Sequence, residues 1–318
     1  MHMPVGCSSF LPITRGVPQG SILGPILFLV YINDLPNSIS CDGCLTILYA
    51  DDTSFLVRGN GNELESSIAA VLDEAKIWFA SNRLFLNEAK TDRINFQLRG
   101  GKTEPSPKFL GVHLDAALGW VSHISALNGK LATALFVIRK IRYTAGYHAA
   151  LITYHVLFHS LISYGILAWG NAATAHINTI FVKQKNAVRI LANIRSTDSC
   201  RPFFKKFNII TIYGQIILDN LCYVKKHTHL YQTHDNIHQH NTRFKGNIVK
   251  PSTRLHKIPC LGIDLFNLLP MQYRELSCVV FRNRLKKYLI CVCPYTLSEF
   301  KDAMREGRDL NILLHQRV

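Results

Sequence analysis

Residues 48–57 read LYADDTSFLV, with Asp51 and Asp52 side by side between two apolar runs. The flanking segments LTILY (45–49) and SFLV (54–57) have the composition of short strands, so the aspartates fall at the turn of a hairpin. Two carboxylates about 4 Å apart repel by about 4 kcal/mol at an effective dielectric of 20, and both stay ionised only if a cation compensates. Mg²⁺ suits the task, because it takes one or two carboxylates together with substrate phosphates. Adjacent side chains of a straight strand point to opposite faces, whereas at a turn both can approach one site. A plain solvated Asp-Asp turn is the competing reading.

Outward from this stretch, Ile22, Leu23, Ile26, Leu27 and Val30 recur at helical spacing and predict a buried helix that ends near Asn33-Asp34-Leu35-Pro36. The loop before it, GVPQGS, holds Gly16, Pro18, Gln19 and Gly20, a composition for a tight backbone turn with an amide that both donates and accepts. A glycine-rich strand-to-helix turn would look the same. After the aspartates, Leu64, Ile68, Leu72, Ala75 and Phe79 form one apolar stripe of an amphipathic helix over 62–84. Segments around RINFQL and KFLGVHL read as strands on either side of a polar loop at 100–107. Beyond 120 the pattern turns helical: Ile124, Leu127, Leu131, Leu135 and Ile138 line one face, and apolar segments follow at 149–169 and 178–194. Residues 225–257 read as a polar connecting segment and 275–290 as a last helical stretch. The fold class is therefore α+β, with a strand-bearing part followed by a helical one and a boundary near 116–120.

The 318 residues allow about two domains, and 48% apolar content is that of a globular protein. The start shows neither a basic stretch followed by an apolar run nor a cleavage site, and the apolar run at 22–32 is broken by Gly24 and Pro25, so neither secretion nor a membrane is expected. Nine scattered cysteines in a chain of this size fit reduced thiols and an intracellular location, nucleus or cytoplasm. The net charge of +15 is unevenly spread: 1–115 carry 9 Lys+Arg against 12 Asp+Glu, whereas 116–318 carry 27 against 9. Such a basic C-terminal part points to a polyanion partner. A solubilising surface is the alternative.

Taken with its context, Tyr49-Ala50-Asp51-Asp52, preceded by RGVPQGSILGPILFLVYINDLP (15–36), resembles the palm of reverse transcriptases of non-LTR (LINE-type) retrotransposons. NRLFLNEAKTDRINF (82–96) looks like the family segment with an Asn-x-x-Lys-Thr signature, and KFLGVHLD (108–115) like its primer-grip hairpin. YGILAWGNA, QKNAVRILAN and FNLLPMQYRELSCVVFRNRLKKYL are similar to thumb and later regions. The resemblance implies a partial palm over 1–115, a thumb-like helical region over 116–200 and a basic, mainly helical region over 201–318. It implies two-metal nucleotidyl transfer with Asp51 and Asp52 as Mg²⁺ ligands and Lys90 acting on the leaving pyrophosphate. It also implies that Gly16, Pro18, Gln19, Gly20 and Tyr49 lie at template and nucleotide, and that Phe109, Leu110 and Gly111 lie under the primer end. RNA template, DNA primer and dNTPs are the implied partners. The family's further catalytic aspartate lies upstream of the GVPQG loop, and here the first acidic residue is Asp34. The expectation is a fragment inactive by itself, or a non-catalytic nucleic-acid-binding remnant. His227, His229, His234, His238 and His240 form two His-x-His pairs but have no Cys-x-x-Cys partner close enough for a tetrahedral zinc site, and Cys41-Asp-Gly-Cys44 stands alone.

Overall fold

The structure is a computed structural model that describes residues 16–17, 20–96, 106–234, 246–250 and 260–308. The chain divides into two compact units, Met1–Thr91 and Asp92–Val318. Among the described residues it is mainly helical, with two small antiparallel sheets.

In the first unit, helix α1 (Leu23–Ile32) is followed by a hairpin of β1 (Cys44–Tyr49) and β2 (Asp52–Val57) and then by helix α2 (Gly61–Ser81). Alternation decides how the hairpin packs. Leu48 and Phe55 lie on one face and join Ile32, Leu35, Ala75, Trp78 and Phe79 in a small core, while Leu45, Ile47 and Leu56 remain exposed on the other. The stripe expected on α2 is present, with Val71 and Trp78 added one turn away from Ala75. The helix expected at 22–32 also forms, but it is not buried. Ile22 is 88% and Val30 72% exposed, and Ile32 alone is buried within it. Its sequence, LGPILFLVYI, is apolar all round, but in this unit Phe28 and Ile32 alone of it join the small core, and the Tyr31 hydroxyl donates to the Asn82 carbonyl.

The second unit begins with a tiny hairpin of β3 (Lys108–Phe109) and β4 (Val112–His113). KFLGVHL is thus two strands rather than one, because Leu110 and Gly111 both take positive φ (45° and 83°) and reverse the chain. Residues 93–96 of the segment expected to be a strand have no regular structure, and residues 97–105 lie outside the described set.

Helices make up most of the remaining described residues: α3 (Val121–Thr144), α4 (Gly146–Thr153) running through a π-helical turn (Tyr154–His159) into α5 (Ser160–Ser163), then α6 (Ile166–Trp169), α7 (Thr174–Ala192), α8 (Arg201–Lys206) and α9 (Ile212–Lys226). Beyond residue 259 follow α10 (Cys260–Phe266), α11 (Met271–Arg274), α12 (Cys278–Val292) and α13 (Leu297–Arg305). The face expected on α3 is buried at Ile124, Leu127, Leu131 and Ile138. Among the described residues α3 is the one helix long and apolar enough to cross a membrane.

Helix α9 joins two cores. Ile212, Tyr213 and Ile216 pack with α3, α4 and α7, whereas Ile217, Leu218, Leu221 and Val224 pack with α10 and α12. Buried Gln184 ties the first core together: its amide nitrogen donates to the Tyr154 hydroxyl (3.0 Å) and the Ile210 carbonyl (2.9 Å), and its oxygen accepts from the Ile212 N–H (2.8 Å). Every polar atom of that side chain is satisfied, as a buried amide requires. Within the polar 225–257 segment, Ile248 is buried in the second core, its N–H and carbonyl both bonded to Asn267.

Candidate nucleic-acid site

The paired register Tyr49↔Asp52 leaves Ala50 and Asp51 as a two-residue turn, so Asp52 is the first residue of β2 rather than part of the turn. Ala50 takes φ 52°, the left-handed region at the first central position of a hairpin turn. Such a conformation costs a residue with a Cβ about 1–2 kcal/mol. The chain therefore accepts strain where the two carboxylates sit. Both are exposed, and neither has a hydrogen-bond or ion-pair partner among the described residues. Asp52 shares its face of the hairpin with Tyr49, which is also exposed. Unpaired, solvent-facing carboxylate oxygens on consecutive residues fit a hard cation that keeps part of its water shell. Among the described residues no three metal-ligating side chains converge.

Gly16 and Gly20 both take positive φ (77° and 88°), the freedom that a tight turn needs. Pro18 and Gln19 lie outside the described residues. Lys90 closes a short 3₁₀ turn, Glu88–Lys90, in which the Asn87 carbonyl accepts from the Lys90 N–H (3.0 Å) and from the Thr91 hydroxyl (3.1 Å). Glu88 ties that turn to α2 through Lys76 at 3.0 Å. The Lys90 side chain is exposed, and no hydrogen bond or ion pair joins it to Asp51 or Asp52.

Phe109, Leu110 and Gly111 belong to the second unit. Their hairpin is seated on the break between α5 and α6. Tyr164 donates its hydroxyl to the Leu110 carbonyl at 2.5 Å, and its own carbonyl accepts from the Trp169 indole N–H at 2.8 Å. A Cβ on Gly111 would lie 3.4 Å from the Tyr164 ring, and one on Gly165 3.3 Å from Val112. The YGILAWGNA stretch is therefore the seat of this hairpin. Local periodicity gave no sign of it, since the contact spans 54 positions.

On the other side, the ring of His123 on α3 accepts the His113 N–H through Nδ1 at 3.4 Å, which leaves the proton on Nε2. Burial, reinforced by His113 and Lys130, lowers the His123 pKa to about 4. Asp115, ending the KFLGVHLD stretch, accepts from the Gly119 and Trp120 N–H groups, both at 2.6 Å, at the N-terminus of α3. A cleft of about 260 Å³ opens beside the hairpin, lined by Gly111, His113, His123, Lys130 and Tyr164 among others. Sequence reading passed over Tyr164 and His123; the glycine after Tyr164 was the available signal.

Of the five histidines between 227 and 240, His238 and His240 lie outside the described residues. His227 packs on Tyr223 with ring centroids 4.3 Å apart and bonds that residue's carbonyl through Nδ1 at 2.8 Å, so a helix end engages it.

Residues 3–114, which span both hairpins and the intervening turns, match the family model described as reverse transcriptase (RNA-dependent DNA polymerase). That segment is thus similar to reverse transcriptases, and the relatives of the chain include polymerases of mobile elements. The chain is 28% identical over 204 residues to the RNA-directed DNA polymerase from mobile element jockey of Drosophila melanogaster, covering 57% of this chain and 22% of that protein. It is 23% identical over 265 residues to the probable RNA-directed DNA polymerase from transposon X-element of the same fly, covering 77% and 28%. A third relative, the probable RNA-directed DNA polymerase from transposon BS, is 26% identical over 250 residues, covering 71% and 26%. The chain thus spans about a quarter of the length of these reverse-transcriptase relatives. No solved structure matches it.

Proposed function

We propose that this chain is part of an RNA-directed DNA polymerase of a non-LTR retrotransposon, with the β1–β2 turn as the metal-binding part of its palm. The observation that carries the reading is the strained turn that presents Asp51 and Asp52, exposed and unpartnered, inside the segment that matches the family. In that reaction a primer 3′ hydroxyl attacks the α-phosphorus of a dNTP, the new P–O bond forms, and pyrophosphate leaves. Mg²⁺ bound at Asp51 and Asp52 would supply charge stabilisation for the attacking and leaving oxygens. Lys90 carries a free ammonium group for the departing pyrophosphate. Gly16, Pro18, Gln19, Gly20 and Tyr49 are assigned to template and nucleotide. Phe109, Leu110 and Gly111 are assigned to the primer end, with α3 and the following helices as the thumb that holds the RNA–DNA duplex.

Within these 318 residues no carboxylate precedes Asp34. The polypeptide expressed by itself therefore offers the Asp51–Asp52 part of the ligand set alone, and loss of one ligand common to two metals costs on the order of 10⁴ in rate, about 5.5 kcal/mol of barrier. Primer extension on an RNA template with Mg²⁺ is the test. The expected outcome is extension at or near background from the 318-residue chain. In an extension-competent polymerase carrying this segment, activity should disappear in the Asp51→Asn and Asp52→Asn variants and fall in Lys90→Leu. Robust extension by the 318 residues alone, or full activity of either Asp variant, would defeat the reading.

The uneven charge favours a second reading, a nucleic-acid-binding protein without catalysis. Salt-sensitive RNA binding with no extension in any context would select it.

A further inference from the structure

A second cleft, also about 260 Å³, lies within the second unit, where the C-terminal turns of α3 and α7 meet α4 and α8. Arg142, Tyr147, Phe203, Lys206 and Phe207 line it, together with Leu191. The Phe207 ring lies 5.1 Å from that of Tyr147 and 5.8 Å from that of Phe203, both tilted by about 40°. Phe207 is buried, whereas Tyr147 and Phe203 are half-buried. Arg142 donates through Nε to the Leu191 carbonyl at 3.1 Å, which fixes its guanidinium at the end of α7. Its two Nη groups and the Lys206 ammonium have no partner among the described residues, and no carboxylate lines the cleft.

Three aromatic rings with two uncompensated cations narrow the ligand chemistry. A purely apolar ligand would leave the cations without a role, and an acidic peptide would not use the rings. A nucleotide unit uses both, its base stacking on an aromatic ring and its phosphate meeting Arg or Lys. The volume falls below the roughly 300–1,000 Å³ of pockets that take drug-sized ligands, so there is room for one base and not for a pair. A duplex keeps its bases stacked and paired. We propose that this cleft binds one unstacked base of a single-stranded RNA, with the adjoining phosphate held by Arg142 and Lys206. The proposal extends the nucleic-acid reading but uses no polymerase chemistry.

The test uses the full 318-residue chain, without metal, and a labelled oligouridylate of 12 nucleotides beside an RNA–DNA duplex of the same length. The single strand should bind more tightly to this site than the duplex does. Phe203→Ala should weaken binding about tenfold, and Phe203→Trp should restore it. Lys206→Gln should weaken binding and make the salt dependence shallower by about 0.7 in log–log slope, one phosphate's share. Cross-links from a 5-bromouridine-substituted strand should map to Tyr147, Phe203 or Phe207. Unchanged affinity in the folded Phe203→Ala and Lys206→Gln variants, or cross-links confined to other residues, would overturn the proposal. Displacement by uridine monophosphate as effective as by the strand would also overturn it, assigning the cleft to a free nucleotide. If Phe203→Ala unfolds, Lys206→Gln decides alone, because that side chain is exposed and outside the core. Primer extension is read separately, so a failed polymerase reading leaves these outcomes unaffected.

Discussion

Ala50 shows how much one residue can reveal about the turn that carries the aspartate pair. Its left-handed φ of 52° costs about 1–2 kcal/mol, and glycine would remove that cost while losing about 0.5–1 kcal/mol of chain entropy. The balance favours glycine, so Ala50→Gly should raise stability by about 0.5–1 kcal/mol in chemical denaturation, and Ala50→Val should lower it. Histidines give a second residue-level expectation. Burial holds the pKa of both His123 and His159 at about 4, against an ordinary value of 6.5. Because the unfolded chain takes up these protons first, their contribution is complete above about pH 6.5 and is lost as pH falls towards 4. Denaturation midpoints should decline through that window, and His123→Asn should make the decline shallower. The aspartate pair was legible in the sequence because its members are adjacent and charged. His123 was not, since what distinguishes it is burial against His113 and Trp169, which no local pattern reports.

Among the elements, the β3–β4 hairpin depends on a break in a helix far along the chain. Gly165 takes φ 62°, and a Cβ there would press on Val112 at 3.3 Å. Gly129, in the middle of α3, has ordinary helical geometry and open space around its missing side chain. The same substitution should therefore act in opposite directions: Gly165→Ala should destabilise the chain by about 1–2 kcal/mol, and Gly129→Ala should stabilise it by about 0.5–1 kcal/mol. Denaturant titrations of the two variants check the pair. Helices α2 and α3 were readable because each has one continuous apolar stripe. The π-helical turn at Tyr154–His159 was not, because an extra residue per turn shifts the buried positions Tyr154 and Phe158 without changing composition. Helix α1 was misjudged for a related reason: apolar residues on every side predict burial, but they do not supply the elements that would cover them.

For the molecule as a whole, charge is the property that sequence reading conveyed best, since it needs no fold to be counted. Residues 116–318 carry 27 Lys+Arg against 9 Asp+Glu, and the second unit contains all of them. The proposed nucleic-acid partner would be held through its phosphates, and each phosphate neutralised releases counterions whose return is favoured by salt. The affinity of the 318-residue chain for an RNA–DNA duplex should therefore fall steeply between about 50 and 200 mM salt, by roughly 10³–10⁵ if 6–10 phosphates are engaged. The paired charge reversal Lys286→Glu with Lys287→Glu, both exposed on α12, should lower affinity and flatten the salt dependence. Asp51→Asn and Asp52→Asn should leave duplex binding without metal unchanged. That separation matters because, in the proposed reading, the carboxylates would act on a reacting phosphate, whereas the basic helices would act on every phosphate of the strand. A duplex affinity indifferent to salt would mean that the basic surface is only solvated, and the assignment of the helical part to template and primer would fall with it.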